Sequence, residues 1–404
     1  MENKNSQKVY YAQSIYGREE IDAVVDVLEN DSLTLMGGRR VLEFEKNVSN
    51  LFGKNYGCMV NSGSSANLLA LSILGLPPGS EIITPALTFS TTVAPIVQNQ
   101  LKPVFVDVES NTFLIDYSQI EDKISDLTSG IMVPNLIGNI ADWERLKSIA
   151  DKHNLTLIED SADTIGYTLH GNNSGKLSDV TTTSFYASHI ITGAGFGGMV
   201  MVNDQELMDK AALLRGWGRR SSRKSESENI DQRFLSTVDG VEYDDKFIFD
   251  ELGYNFLPSE ISAAFGLVQL EKLGENIKKR QQNFKLLYDY FNSHKDWFIL
   301  PQQTDNTTTA WLAMPLIVRQ TAPFTRRELQ IHFEKNNIQT RTIFTGNILR
   351  QPGFASLIEK NNTLNFPNAD EVMQGGFLIG CHHGLTKNDI IYVFSQFDEF
   401  SREF

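Results

Sequence analysis

The sequence predicts an α/β fold, with a mostly parallel sheet in a large first domain and a small α+β domain after it. Three observations lead there. Short apolar runs alternate with amphipathic helical stretches through the first half of the chain, the pattern of βαβ crossovers. The runs are continuously apolar, as strands covered on both faces must be. Beyond residue 205 this rhythm stops and a different pattern takes over.

The elements follow in order. Residues 39–52 space Val41, Leu42, Phe44, Val48 and Leu51 at helical intervals. "YGCMV" (56–60), "EIITP" (81–85), "PVFVDV" (103–108), "GIMVP" (130–134) and "LTLIED" (155–160) read as strands, with helices over 64–75 and 142–152 between them. Residues 205–215 read as a helix and the polar "SSRKSESENIDQR" (221–233) as a mobile loop. Two helices are expected over 259–293, the second long enough to link domains. From about 295 a smaller unit begins, with "TAWLAMPLIV" as its clearest strand. The expected division is a large domain over residues 1–270 and a small one over 271–404.

Composition narrows the function. The 404 residues carry a net charge of −14, which argues against nucleic acid or an anionic membrane surface as partner, since both select clustered Lys and Arg. An anionic substrate then needs local positive groups. Two cysteines, Cys58 and Cys381, exclude a disulfide scaffold and a four-thiolate metal or iron–sulfur site within one chain. No apolar run approaches ~18 residues. The opening "MENKNSQKVYYAQSIYG" lacks the apolar core of a signal peptide, so a cytoplasmic enzyme is the expectation.

Three stretches carry chemistry. In "NSGSSANLLALSIL" (61–74) a Gly- and Ser-rich turn opens into a helix. Its N-terminal N–H groups, with the hydroxyls of Ser64 and Ser65, make a phosphate cradle, although plain N-capping by Ser reads equally well. "LIEDSADTIG" (157–166) ends an apolar strand in acids, where α/β proteins bind ligands. A carboxylate buried there needs a cationic partner, such as a protonated ring nitrogen; a solvated strand end is the plainer alternative. "GAGFGG" matches G-x-G-x-x-G at Gly193, Gly195 and Gly198, but "MVMVND" follows it as a strand where a dinucleotide site requires a helix. A glycine turn joining two strands is the better account.

The order of these motifs resembles the fold-type I, pyridoxal-phosphate-dependent sugar aminotransferase family of the DegT/StrS type, over about residues 10–400. The resemblance implies an aspartate-aminotransferase-like fold and assigns roles residue by residue. "NSGSSANLLAL" resembles the phosphate-binding turn, with Gly63, Ser64 and Ser65. "PALTFSTTVAPI" resembles the segment whose aromatic, here Phe89, stacks on the pyridine ring. "EDSADTIG" resembles the segment that places Asp160 at the pyridine nitrogen and Asp163, commonly Gln in the family, near the ring oxygen. "SFYASH" resembles S-F-x-x-x-K, with Ser184 on the phosphate. "GYNFLPSEISAAFGLVQLEKL" resembles the stretch whose Asn, here Asn255, reaches the phosphate of the neighbouring subunit, which implies a homodimer.

One departure redirects the chemistry. Where the family has its Schiff-base Lys, this chain has His189. An imidazole forms no Schiff base, but it transfers protons near neutral pH. The cofactor is then expected to be held non-covalently as pyridoxal or pyridoxamine phosphate, and the outcome to be loss of the sugar C3 hydroxyl. The same replacement marks a subgroup, the 4-keto-6-deoxy-sugar 3-dehydratases. "RGWGRR" (215–220), "TRTIFTGNILRQPGF" (340–354) and "GCHHGL" (380–385) are similar to it. The stretches 340–354 and 215–234 resemble its iron–sulfur type, which acts on CDP- or TDP-sugars. That type has cysteines just after "RGWGR", whereas this chain reads "RSSRKSESENIDQRF". The cluster-free chemistry is therefore expected, with glutamate loading the cofactor, no metal, and a GDP- or CDP-linked keto-sugar as substrate. Arg219, Arg220 and Arg341 are candidates for a nucleotide diphosphate or the glutamate carboxylate, or are merely solvated. Thr345 and Asn347 are sugar-contact candidates by resemblance. His382 is either an active-site edge residue or part of a surface turn. The rival readings are an aminotransferase that works without the Lys, a catalytically dead binding homologue and, on the glycine cluster alone, a dinucleotide oxidoreductase.

Overall fold

The computed structural model describes residues 8–30, 35–223, 230–357 and 365–404. A seven-stranded sheet organises the first half of the chain. Its strands lie in the spatial order Tyr56–Val60, Gly198–Val202, Val180–Ser184, Thr156–Ser161, Thr128–Pro134, Glu81–Pro85 and Lys102–Val106. Gly198–Val202 pairs antiparallel with both its neighbours, and every other pairing in the sheet is parallel.

Both faces are buried, which explains the continuous apolar runs. Met59, Ile131, Val133 and Leu157 pack into the core on one side. Cys58, Val60, Met132 and Ile158 pack into the core on the other. Because side chains alternate across a strand, adjacent residues must both be apolar when both faces are covered.

The helix Gly63–Leu74 shows how the connections are punctuated. Ser62 caps it, its Oγ accepting from the Ser65 amide at 3.1 Å, and Gly75 ends it at φ 60°, a conformation that costs glycine little. The expected helices over 259–293 are Glu260–Glu271 and Leu273–Asn292. A four-stranded antiparallel sheet follows, in the order Phe298–Ile299, Met314–Val318, Gly376–Ile379, Thr340–Thr342. Its core is shared with Ala86, Leu87, Leu136 and Ile137 from the loops at the strand ends of the large sheet. Those loops are thereby pressed between the two sheets.

Two expectations need correction. "TAWLAMPLIV" is a strand only from Met314, because Trp311 and Leu312 pack against the Ile137–Gly138 turn: the Leu312 amide donates to the Ile137 carbonyl at 2.7 Å. The stretch 221–233 holds a 3₁₀ turn, Arg220–Arg223, and a helical turn, Ile230–Arg233, and its residues 224–229 lie outside the described residues. The strand Val180–Ser184 ends five residues before His189, which lies in the loop 185–197 to the next strand. Among the described residues no helix is long and apolar enough to cross a membrane.

Candidate active site

A cavity of about 710 Å³ opens at the C-terminal ends of the parallel strands. Gly63 and Ser64, Phe89, Asn135, Asp160 and Asp163, and Ser184 and His189 reach it from the ends of five strands. Tyr11, Leu312, Arg341, Phe344, Thr345 and Leu378 close it from the opposite side. This is the crevice where open α/β sheets bind ligands.

One wall is built by close approach. A Cβ on Gly63 would stand 2.6 Å from Ser184 Cβ, and one on Gly198 would stand 2.3 Å from the Ser62 carbonyl oxygen. Glycine at both positions lets the helix N-terminus lie directly on the strand end. The partial positive charge of that terminus and the Ser64 and Ser184 side chains then share one end of the cavity. Ser65 serves the helix instead, its amide bound by Ser62 and its Oγ donating to Asn61 Oδ1 at 2.7 Å.

Asp160 lies at the floor, buried, with three donors on its carboxylate. Asn67 Nδ2 and Thr92 Oγ1 each approach Oδ2 at 2.8 Å, and the Ala162 amide donates to Oδ1 at 3.1 Å. Burial pushes its pKa up and the three hydrogen bonds oppose that shift. Among the described residues no cation pairs with it. This donor set orients a carboxylate for a cationic ligand atom. Phe89, 49% exposed, supplies an aromatic face in the same cavity. A phosphate-accepting end, an exposed ring and a buried acid lacking a cation are the requirements of a phosphorylated, protonated pyridine, and the residues fit it.

His189 and Asp163 face each other across the cavity, with Nε2 4.0 Å from Oδ1. His189 Nδ1 lies 3.3 Å from the Ser184 carbonyl oxygen, which can only accept, so Nδ1 carries the proton and Nε2 the lone pair. Burial, followed by the charge of Arg280, pushes its pKa down to about 4, against the Ser184 hydrogen bond. Asp163 moves the other way: burial raises it to about 7, opposed by the Ile137 amide that donates to Oδ2 at 2.8 Å. A neutral base thus stands beside an acid that can hold its proton near neutral pH. Among the described residues no lysine lines the cavity.

Of the other expected residues, Arg341 and Thr345 line the cavity. Arg341 lies 5.8 Å over the Tyr11 ring, and Thr345 Oγ1 donates to the Thr88 carbonyl at 2.6 Å. Asn347 is buried as a structural residue, its Oδ1 accepting from the Leu349 amide and its Nδ2 donating to Asp370. Arg219 stacks on Trp217, 4.7 Å from the ring centroid, and Arg220 forks onto Asp250; neither lines this cavity. Asn255 is exposed and outside it.

His382 is neither a surface turn nor a cavity residue. It is 1% exposed, and its Nε2 donates to the Tyr10 carbonyl at 3.2 Å behind the wall. Sequence reasoning missed Asn67 and Thr92, which hold Asp160, and Tyr11, which comes from the start of the chain, far in sequence from the other cavity residues. Asn67 sits one helical turn after Gly63 and Thr92 three residues after Phe89, so their spacing from recognised residues was the available signal.

Known proteins are similar to this chain over most of its length. The chain is 36% identical over 397 residues to the lipopolysaccharide biosynthesis protein RfbH of Salmonella typhimurium, covering 96% of this chain and 90% of that protein. It is 35% identical over 393 residues to dTDP-4-dehydro-2,6-dideoxy-D-glucose 3-dehydratase of Saccharopolyspora spinosa, covering 95% and 84%. The solved structure of Escherichia coli GDP-4-keto-6-deoxy-D-mannose-3-dehydratase with bound hydrated PLP superposes with a TM-score of 0.86 at 28% identity, covering 96% of this chain and 100% of that one. The model of the DegT/DnrJ/EryC1/StrS aminotransferase family matches residues 14–398, and the chain belongs to this pyridoxal-phosphate-dependent family.

Proposed function

We propose that the protein is a nucleotide-sugar 3-dehydratase: a homodimeric, cytoplasmic enzyme that removes the C3 hydroxyl of a GDP- or CDP-linked 4-keto-6-deoxyhexose to give a 3,6-dideoxy-4-keto sugar for glycan assembly. The observation that carries the reading is His189, with a free Nε2 lone pair, in a cavity that no lysine among the described residues lines. The helix terminus at Gly63–Ser64 and the Ser184 side chain would hold the cofactor phosphate, Asp160 its ring nitrogen and Phe89 its face. When bound, pyridoxamine phosphate supplies an amine that condenses with the keto group and a conjugated ring that accepts an electron pair.

The chain's own residues do the rest. His189 Nε2 takes up the proton released beside it and returns it to the departing C3 hydroxyl, which leaves as water. Asp163, held by the Ile137 amide, supports the imidazole across the 4.0 Å gap. Arg341 is the cavity's cation for the nucleotide diphosphate or for the carboxylate of glutamate, the proposed amino donor. With His189 where a lysine amine would release an amino sugar, the nitrogen leaves as ammonia. Glutamate is oxidised to 2-oxoglutarate as the C–OH of the sugar is reduced to C–H.

The test is to load the protein with pyridoxal phosphate and glutamate, then add GDP- or CDP-4-keto-6-deoxyhexose. Ammonia and a sugar lighter by one oxygen are expected in equal amounts. An amino sugar without free ammonia would establish the aminotransferase instead.

A further inference from the structure

Behind His189 lies a cation for which the chemistry above has no use. Arg280, on the helix Leu273–Asn292, is 0% exposed, and among the described residues no carboxylate pairs with it. Its guanidinium is spent on backbone carbonyls instead. Nη1 donates to Leu312 at 3.1 Å and to Trp311 at 3.4 Å, and Nη2 donates to His189 at 3.4 Å. Nε has no partner. An unpaired buried charge is costly, so a guanidinium kept there without a counter-ion needs a reason.

The contacts continue past the arginine. The Leu312 amide donates to the Ile137 carbonyl at 2.7 Å, and the Ile137 amide donates to Asp163 Oδ2 at 2.8 Å. The circuit runs from the His189 carbonyl through Arg280 and Leu312 to Ile137 and Asp163, so it ties together the backbones behind the two groups that face each other 4.0 Å apart. It is stiff at its turn. Ile137 sits at φ 60°, and a Cβ on Gly138 would stand 2.7 Å from the Leu312 amide nitrogen.

We propose that Arg280 is a positioning residue for the His189–Asp163 pair, its fork fixing the loop that aims the imidazole and its unneutralised charge keeping that imidazole a base. The inference rests on the dehydratase reading only for the use made of that base. The charge argument is geometric: the guanidinium is held against the His189 main chain, and a cation there disfavours a second cation on the ring. The pKa depressions of His189, His382 and His383 each include Arg280 among their causes, after burial. The other titratable groups facing the imidazole are Asp163, Asp160 and Tyr186, with Tyr11 and Arg341 across the cavity. Cys381, like His382 and His383, neighbours the guanidinium from the segment after the strand Gly376–Ile379. After burial, Arg280 is the charge that lowers the His189 pKa, while the Ser184 hydrogen bond raises it.

The test uses the cofactor-free full chain and reads the His189 ring by nitrogen NMR, with the resonance assigned by its loss in His189→Asn. Arg280→Gln keeps a donor for the carbonyls and removes the charge. Its His189 midpoint is expected to rise by about one pH unit. Arg280→Lys keeps the charge and loses the fork; its midpoint is expected to stay, while the ring populates both tautomers instead of Nδ1–H alone. A wild-type midpoint in a folded Arg280→Gln protein, or a single Nδ1–H tautomer in Arg280→Lys, overturns the proposal. Should Arg280→Gln not fold, Arg280→Lys decides; should neither fold, Arg280 is a folding residue only and the proposal falls. These readouts need no cofactor or sugar, so they separate failure here from failure of the dehydratase reading.

Discussion

His189 Nδ1 is committed to the Ser184 carbonyl, so the chemistry available to the ring is that of Nε2 alone. A side chain at this position that forms a covalent link to the cofactor would change the reaction class, because it would both trap the aldehyde and supply an amine for transfer. His189→Lys is therefore expected to give a protein whose cofactor absorbance survives gel filtration and becomes permanent on borohydride reduction, with water loss from the sugar abolished. Undiminished deoxygenation in that variant would remove His189 from the acid–base role. Asp160 offers a second test at the same scale. Its three donors, Asn67, Thr92 and Ala162, present N–H or O–H groups to the carboxylate. In Asp160→Asn the negative charge is gone and one oxygen becomes an NH₂ that faces donors. The loss of a charge-assisted contact, about 1.5–3 kcal/mol, predicts pyridoxal phosphate binding weaker by roughly ten- to a hundred-fold in an absorbance titration.

The contact between the helix Gly63–Leu74 and the end of the strand Val180–Ser184 is the element-scale device of the site. Gly63 has no room for a methyl group, since its Cβ would meet Ser184 Cβ at 2.6 Å and Oγ at 2.8 Å. In Gly63→Ala the helix start must lift from the strand, an overpacking cost of about 1–3 kcal/mol in a melting experiment. The larger loss is expected in cofactor affinity, because the displaced turn carries the phosphate-binding amides. Melting and affinity both at wild-type values would show that this contact is not needed. Elements of this kind were legible in the sequence for a physical reason. Strands buried on both faces and Ser- or Gly-punctuated helices leave local signals, as at Met59 beside Cys58 and Val60, or Ser62 and Gly75 around one helix. What stayed hidden depended on long-range packing. Trp311 and Leu312 look like strand residues, yet the distant Ile137–Gly138 turn holds them. Asn347 looks like a ligand-facing amide, yet it caps a 3₁₀ turn and binds Asp370. Arg280 lies in a polar stretch that reads as a solvated helix face, and only the assembled fold shows it fully buried.

At the scale of the whole molecule, the groups that serve the site also set how the cofactor-free protein responds to acid. His189 and His382 are held down to about 4 and His383 to about 3, each mainly by burial. Unfolded, each would titrate near 6.5. As pH falls through the window from 6.5 to 4, the unfolded chain takes up protons that the folded one refuses, so all three erode stability. Asp163 acts in the opposite sense. Its folded pKa of about 7 lies above the unfolded carboxylate range, so the folded state keeps a proton there that the unfolded state has released, and acid favours folding at this group. Near pH 5 these four groups set three histidines against one aspartic acid, and the raised carboxyls of Asp160 and Glu45 add to the aspartic side. Stability is then expected to fall with pH by at most about 3 kcal/mol for each pH unit, two protons at ~1.4 kcal/mol each. Urea midpoints of the cofactor-free protein between pH 4.5 and 6.5 measure the slope. His383→Gln removes one opposing histidine and should flatten it; Asp163→Asn removes an offset and should steepen it. If both variants moved the slope in the same direction, the assignment of opposite signs to these groups would be wrong. If neither moved it, the acid response would originate in groups remote from the cavity, and the site would not be the part of the molecule that limits its stability in acid.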